Sequence, residues 1–81
     1  MNHERNAQAA LPTARQIGTA IRTRRILKGL SQEQLGFSSD THRTYIGALE
    51  RGQKAITVEK LVKLAIALEC TAWEILKDCG L

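Results

Sequence analysis

The sequence predicts an all-α fold of five short helices, and three observations carry that expectation. Thr13 with Gln16, Ser31 with Gln34, and Thr71 with Glu74 each stand three residues apart, the spacing at which a hydroxyl and a Glu or Gln side chain cap a helix start reciprocally. Apolar residues follow at intervals of three and four, which places them on one face of a helix. Gly29 and Gly52 stand just past two such runs, where a glycine closes a helix. At 81 residues the chain makes one domain with a small core, a size often helped by self-association.

Met1 to Leu11 is polar with scattered alanines and no apolar period, so a flexible tail over 1–12 is expected ahead of a folded domain at 13–81. The first helix is expected from Ala14 to Lys28, with Ile17, Ala20 or Ile21, and Ile26 or Leu27 facing the core. Gly29 stops it, and Leu30 tucks in before Ser31. The second helix, Gln32 to Ser39, has one strong apolar position, Leu35, with Gly36 beside it. A glycine inside a helix costs about 1 kcal/mol relative to alanine, which makes sense where another backbone packs close. Ser38 to Thr41 is turn and cap chemistry, and Asp40, Thr41 or His42 caps the third helix. There Tyr45 or Ile46, with Leu49, faces the core.

Thr57 caps a fourth helix from Val58 to Glu69. Leu61, Leu64, Ala65 and Leu68 suffice for its core face, which leaves Val62 and Ile66 on another. A helix apolar on two faces in so small a chain needs a second partner. The fifth helix, Ala72 to Asp78, sends Ile75 and Leu76 to the core; Trp73 belongs either to the core or to the outside. Val62, Ile66, Cys70 and Trp73 together form the candidate dimer patch.

Twelve basic residues against eight acidic ones leave a net charge of +4, which favours an anionic partner. The first thirty residues hold six Arg or Lys against Glu4 alone, so the positive field is concentrated there, either as a phosphate-facing surface or as a solvated basic helix face. No run of apolar residues approaches the ~20 needed to span a bilayer, and the N-terminus has no signal-peptide pattern. Cys70 and Cys79 are expected to be reduced thiols in a cytosol. Neither belongs to a C-x-x-C pair and both histidines are distant in sequence, so no metal is expected. No cofactor, membrane or small-molecule ligand is implied. Catalysis is not expected either: no Ser/His/Asp or Cys/His arrangement, phosphate-binding glycine loop or paired carboxylate stands in a recognisable context.

Taken together, Ser31 to Gly52 resembles the helix-turn-helix of the phage Cro/repressor-type family, also called the xenobiotic-response-element-type family. Arg43-Thr44-Tyr45-Ile46 and Glu50-Arg51-Gly52 look most like the controller proteins of restriction-modification systems. The likeness covers roughly Ile17 to Leu76, with three departures: Gly36 where the family usually has Ala, Asp40 where it usually has Gly, and Thr41 where it often has an apolar residue. It implies a lambda-repressor-like DNA-binding domain with the motif at helices 2 and 3. It further implies a partly buried ion pair, Arg25 with Glu50, clamping helix 1 to the reading helix. Gln32 is implied to contact phosphate and brace that helix.

The major groove admits one α-helix and shows a distinct donor and acceptor pattern for each base pair. His42, Arg43 and Thr44, at the start of the third helix, are the candidate base readers, with Ala48 placed to touch a thymine methyl. The planar fork of Arg43 matches O6 and N7 of guanine, or else holds a phosphate. Thr44 suits a base edge, a methyl or a phosphate, and Tyr45 is either core or a phosphate contact. Gly47 is small enough to let the helix lie deep, and joins Gln32, Tyr45, Arg51, Gln53 and Lys54 in the backbone-facing set. Such contacts fix register without carrying sequence information. A tail arm using His3 or Arg5 is a further possible DNA contact.

One such motif reads only a few base pairs, so the expected form is a homodimer on a palindromic operator of double-stranded DNA. The expected role is a cytoplasmic, sequence-specific transcriptional regulator, in contact with RNA polymerase if it activates. The competing role is an antitoxin-like autoregulator whose main partner is a toxin. Only Met1 to Leu11 is available for such a partner, and it lacks the apolar anchors a partner-binding helix uses.

Overall fold

The computed structural model describes residues 12–80, and among these the chain forms five helices and no strand. They are α1 (Ala14–Leu27), α2 (Gln32–Ser39), α3 (Arg43–Glu50), α4 (Val58–Ala67) and α5 (Ala72–Asp78). All three capping boxes form, at Thr13, Ser31 and Thr71, and Thr57 caps α4 by accepting from the Lys60 backbone N–H. These short elements gain little from propensity alone and hold through packing. Each gives the centre at least one fully buried side chain: Ile21 from α1, Leu35 from α2, Ile46 and Leu49 from α3, Leu64 from α4 and Ile75 from α5. Against α1 lie α3 and α5; against α2 lie α3 and α4; α4 and α5 also meet. Ile46 therefore takes the core position beside Leu49, with Tyr45 half-buried at its edge.

Two glycines set how closely the helices approach. A Cβ on Gly36 would stand 2.4 Å from the Thr41 carbonyl oxygen, so the turn between α2 and α3 folds directly onto the α2 backbone. Gly18 is tighter still: its Cβ would stand 2.1 Å from the Leu49 carbonyl oxygen, where α1 crosses α3. Asp40 closes α2 in the left-handed conformation at φ 53°, which an aspartate tolerates better than most residues.

Three expectations are corrected. Neither Ile26 nor Leu27 faces the core; they are 49% and 80% exposed. One turn beyond Ile21 the buried stripe of α1 falls on Arg25, and Leu30 packs against the core beyond it. The first helix ends at Leu27, with Lys28 as its cap. The fourth ends at Ala67, because Glu69 turns into the left-handed region at φ 58°. Trp73, left open between core and surface, is 60% exposed. The tail over Met1 to Leu11, with His3 and Arg5, lies outside the described residues.

Candidate nucleic-acid interface

The end of α3 is held from beneath by one buried ion pair. Arg25 Nε and Nη2 donate to Glu50 Oε2 and Oε1 at 2.7 and 3.0 Å, and Nη1 donates to the Leu30 carbonyl at 2.7 Å. Both residues are buried. The hydrogen bond to Glu50 raises the Arg25 pKa above its already high ordinary value, against the opposing effect of burial, so the guanidinium stays charged. Gln32 Nε2 donates to Glu50 Oε1 at 3.0 Å, which ties the start of α2 to the end of α3. The pairing implied for Arg25 and Glu50, and the bracing role of Gln32, are thus present as geometry. A planar fork with several donors is needed here; a lysine could not make the same set.

At the other end of α3, His42 is the N-cap. Its Nδ1 accepts from the Thr44 backbone N–H at 3.0 Å. His42, Arg43 and Thr44 are all exposed. Ala48, one turn on, is half-buried. Gly47 is buried: a Cβ there would stand 3.2 Å from Arg51 Nη1 and 3.4 Å from Gln32 Oε1. Its smallness makes room for those two side chains on the helix surface. Arg51 Nε donates to Gln53 Oε1 at 3.0 Å, so the fork at the helix end is oriented by its own loop, and Lys54 is exposed beside it. The Tyr45 hydroxyl lies 3.5 Å from the Ala55 carbonyl and its ring lies under Lys60 Nζ, 5.5 Å from the centroid. That contact joins α3 to α4.

The N-terminal basic cluster is less available than its composition implies. Arg24 is paired with Asp78 through two hydrogen bonds of 2.6 and 3.2 Å, Arg25 with Glu50, and Lys28 with Glu69. The expected phosphate-facing surface is therefore reduced, because three of its cations are neutralised by partners distant in the sequence. Among the described residues Arg43, Arg51 and Lys54 make no ion pair, and they cluster on α3 and the loop after it.

The candidate dimer patch divides. Val62, Ile66 and Trp73 are 42%, 70% and 60% exposed, while Cys70 is half-buried and packs partly on the core. Burial pushes the Cys70 and Cys79 thiols up from their ordinary pKa. Val58, 77% exposed one turn before Val62, extends the same stripe. Sequence reasoning passed over Val58 although it continues the four-residue spacing. It also passed over Phe37, which is 90% exposed on α2. The Lys60 contact with Tyr45 has no local signal that would have revealed it. Among the described residues no group of three or more His, Cys, Asp or Glu is placed to hold a metal, and no helix is long and apolar enough to cross a membrane.

The family model described as helix-turn-helix matches residues 21–72. The control protein C.SmaI of Serratia marcescens is 43% identical over 61 residues, which cover 75% of this chain and 73% of that protein. Among solved structures, the restriction-modification controller protein C.AhdI from Aeromonas hydrophila superposes with a TM-score of 0.75 at 40% identity, over 76% of this chain and 94% of that one. The DNA-binding domain of the P22 c2 repressor gives a TM-score of 0.73 at 31% identity, over 75% and 80%. A match that runs from Ile21 to Ala72 takes in both helices of the motif, the Arg25–Glu50 clamp and the helix that closes the core, and on that basis the chain belongs to the helix-turn-helix family of DNA-binding control proteins.

Proposed function

We propose that two copies of this chain bind an imperfect palindrome in double-stranded DNA and regulate transcription of restriction-modification genes, the chain's own among them. The observation that carries the reading is the clamped, outward-facing start of α3, where His42, Arg43 and Thr44 are exposed while Glu50 is fixed to Arg25 below. Arg43 reads a guanine edge, and Gln32, Arg51, Gln53 and Lys54 hold the backbone of the same half-site. A second copy docks on the exposed apolar stripe of α4 and α5, which sets two reading helices about 34 Å apart on one face of the duplex. Bound beside a promoter as an activator, the dimer contacts RNA polymerase; bound across it, the dimer blocks access. The work is done in the cytoplasm, at the nucleoid, and needs no catalysis. The relatives named as control proteins support this reading over an antitoxin-like one.

Hydroxyl-radical footprinting on the DNA upstream of the chain's own gene tests it. Two protected stretches centred about one helical turn apart are expected. Protection without that spacing, or none at concentrations that saturate a selected site, would overturn the proposal.

A further inference from the structure

We propose that His42 meets DNA as a hydrogen-bond donor only, through Nε2–H, and that it reads an acceptor on a base edge in the major groove. The inference rests on the proposed DNA-reading role of α3 and names the chemistry of one contact within it. A backbone N–H only donates, so the Nδ1 atom 3.0 Å from the Thr44 nitrogen must carry a lone pair. A neutral imidazole has one protonated nitrogen and one bare one. With Nδ1 bare, the hydrogen sits on Nε2, across the ring. The doubly protonated ring has no acceptor at Nδ1 and cannot make this cap. The cap thus selects one tautomer of the neutral ring before DNA arrives.

The consequence is a restriction on partners. A Ser, Thr or Asn cap leaves no single fixed donor facing outward, whereas capping by His42 leaves a rigid ring with its N–H at the far end. That N–H can pair with N7 of either purine, O6 of guanine or O4 of thymine. It has nothing to offer the amino groups of adenine or cytosine. Arg43, the next residue, is also donor-only. Two adjacent donors at the helix start favour a half-site that presents acceptors at neighbouring base steps. A phosphate oxygen is also an acceptor, and the test separates the two.

The tautomer is read first, on the full-length protein without DNA, by ¹⁵N–¹H correlation of the imidazole at about pH 8, above the ordinary histidine range. A bare Nδ1 and a protonated Nε2 are expected; the opposite assignment overturns the inference whatever the protein binds. The second arm uses a duplex selected from a random DNA pool. Acceptors are removed one at a time with 7-deazapurines, 2-aminopurine in place of guanine, and 5-methyl-2-pyrimidinone in place of thymine. At one position of each half-site the wild type should lose about fivefold in affinity. His42→Ser, which keeps a capping oxygen but cannot reach the groove, should bind the unmodified duplex about fivefold more weakly and be indifferent at that position. Selective binding with the same losses in His42→Ser as in wild type would overturn the inference while leaving the DNA-reading proposal standing. A uniform loss in His42→Ser on selected and random duplexes alike would place His42 on phosphate and also overturn it. Failure of the wild type to discriminate among duplexes would instead refute the proposed function itself.

Discussion

Replacing Arg25 with alanine removes three hydrogen bonds at once and leaves the Glu50 carboxylate, its side chain 2% exposed, with the Gln32 amide as its remaining side-chain donor. Breaking a buried pair by deleting one partner costs about 3–5 kcal/mol, because the surviving charge stays desolvated without compensation. A domain of this size has a total stability of only about 4–12 kcal/mol. The melting temperature of Arg25→Ala should therefore fall by at least about 12 °C, and at the upper end of that cost the chain is already unfolded at room temperature. Thermal and urea melts followed by far-ultraviolet circular dichroism measure the loss. The double variant Arg25→Met, Glu50→Leu removes both charges and should recover most of it. Arg25→Ala within about 1 kcal/mol of wild type, or a double variant no better than the single, would refute the claim that this pair clamps the reading helix.

Other expectations follow from the same geometry. Arg43→Ala should melt like the wild type and lose about 1–3 kcal/mol of discrimination at one position of each half-site, measured by competition among single-base variants; unchanged ranking of those variants would contradict the role. Ile66→Glu places a charge on the exposed stripe of α4 and should yield monomers by sedimentation equilibrium, whereas a persisting dimer would put the interface elsewhere. Gly18→Ala forces a methyl toward the Leu49 carbonyl and should cost about 1–3 kcal/mol in urea unfolding; an unchanged midpoint would mean the α1–α3 crossing can open freely. Burial raises the Cys70 and Cys79 pKa values, so the fold favours the neutral thiols. Stability should then decline as pH rises past the unfolded thiol value, and alkylation at neutral pH should be slower in the native chain than in urea.

Local chemistry was the legible part. Every capping box lies within four residues, and each formed as the spacing suggested. The core positions of α4 were legible for the same reason, since a helix face repeats within the element. What the pattern missed depends on other elements. The buried stripe of α1 reaches Arg25 one turn after Ile21, and a rule that follows apolar residues steps past a charge to Ile26 and Leu27. Only Glu50, from another helix, makes burial of that charge acceptable. Arg24 and Lys28 read as free cations because Asp78 and Glu69 are distant in sequence. Gly18 gave no signal since nothing within α1 requires a glycine there; the Leu49 carbonyl does. Trp73 could be settled only by orientation. It lies two residues from Ile75, about 200° around the helix, and so faces away when Ile75 is central. The candidate contact residues were named from the resemblance and from their place at the start of α3 and in the loop after it, while the tautomer proposed for His42 rests on the geometry of its cap.

Selection of bound sequences from a random DNA pool at moderate salt tests the central claim most directly. Enrichment of a two-fold symmetric site, with half-sites one helical turn apart, is the predicted result. Binding without enrichment, lost steeply as salt rises, would mean that the chain contacts phosphate alone and would contradict sequence-specific reading by α3.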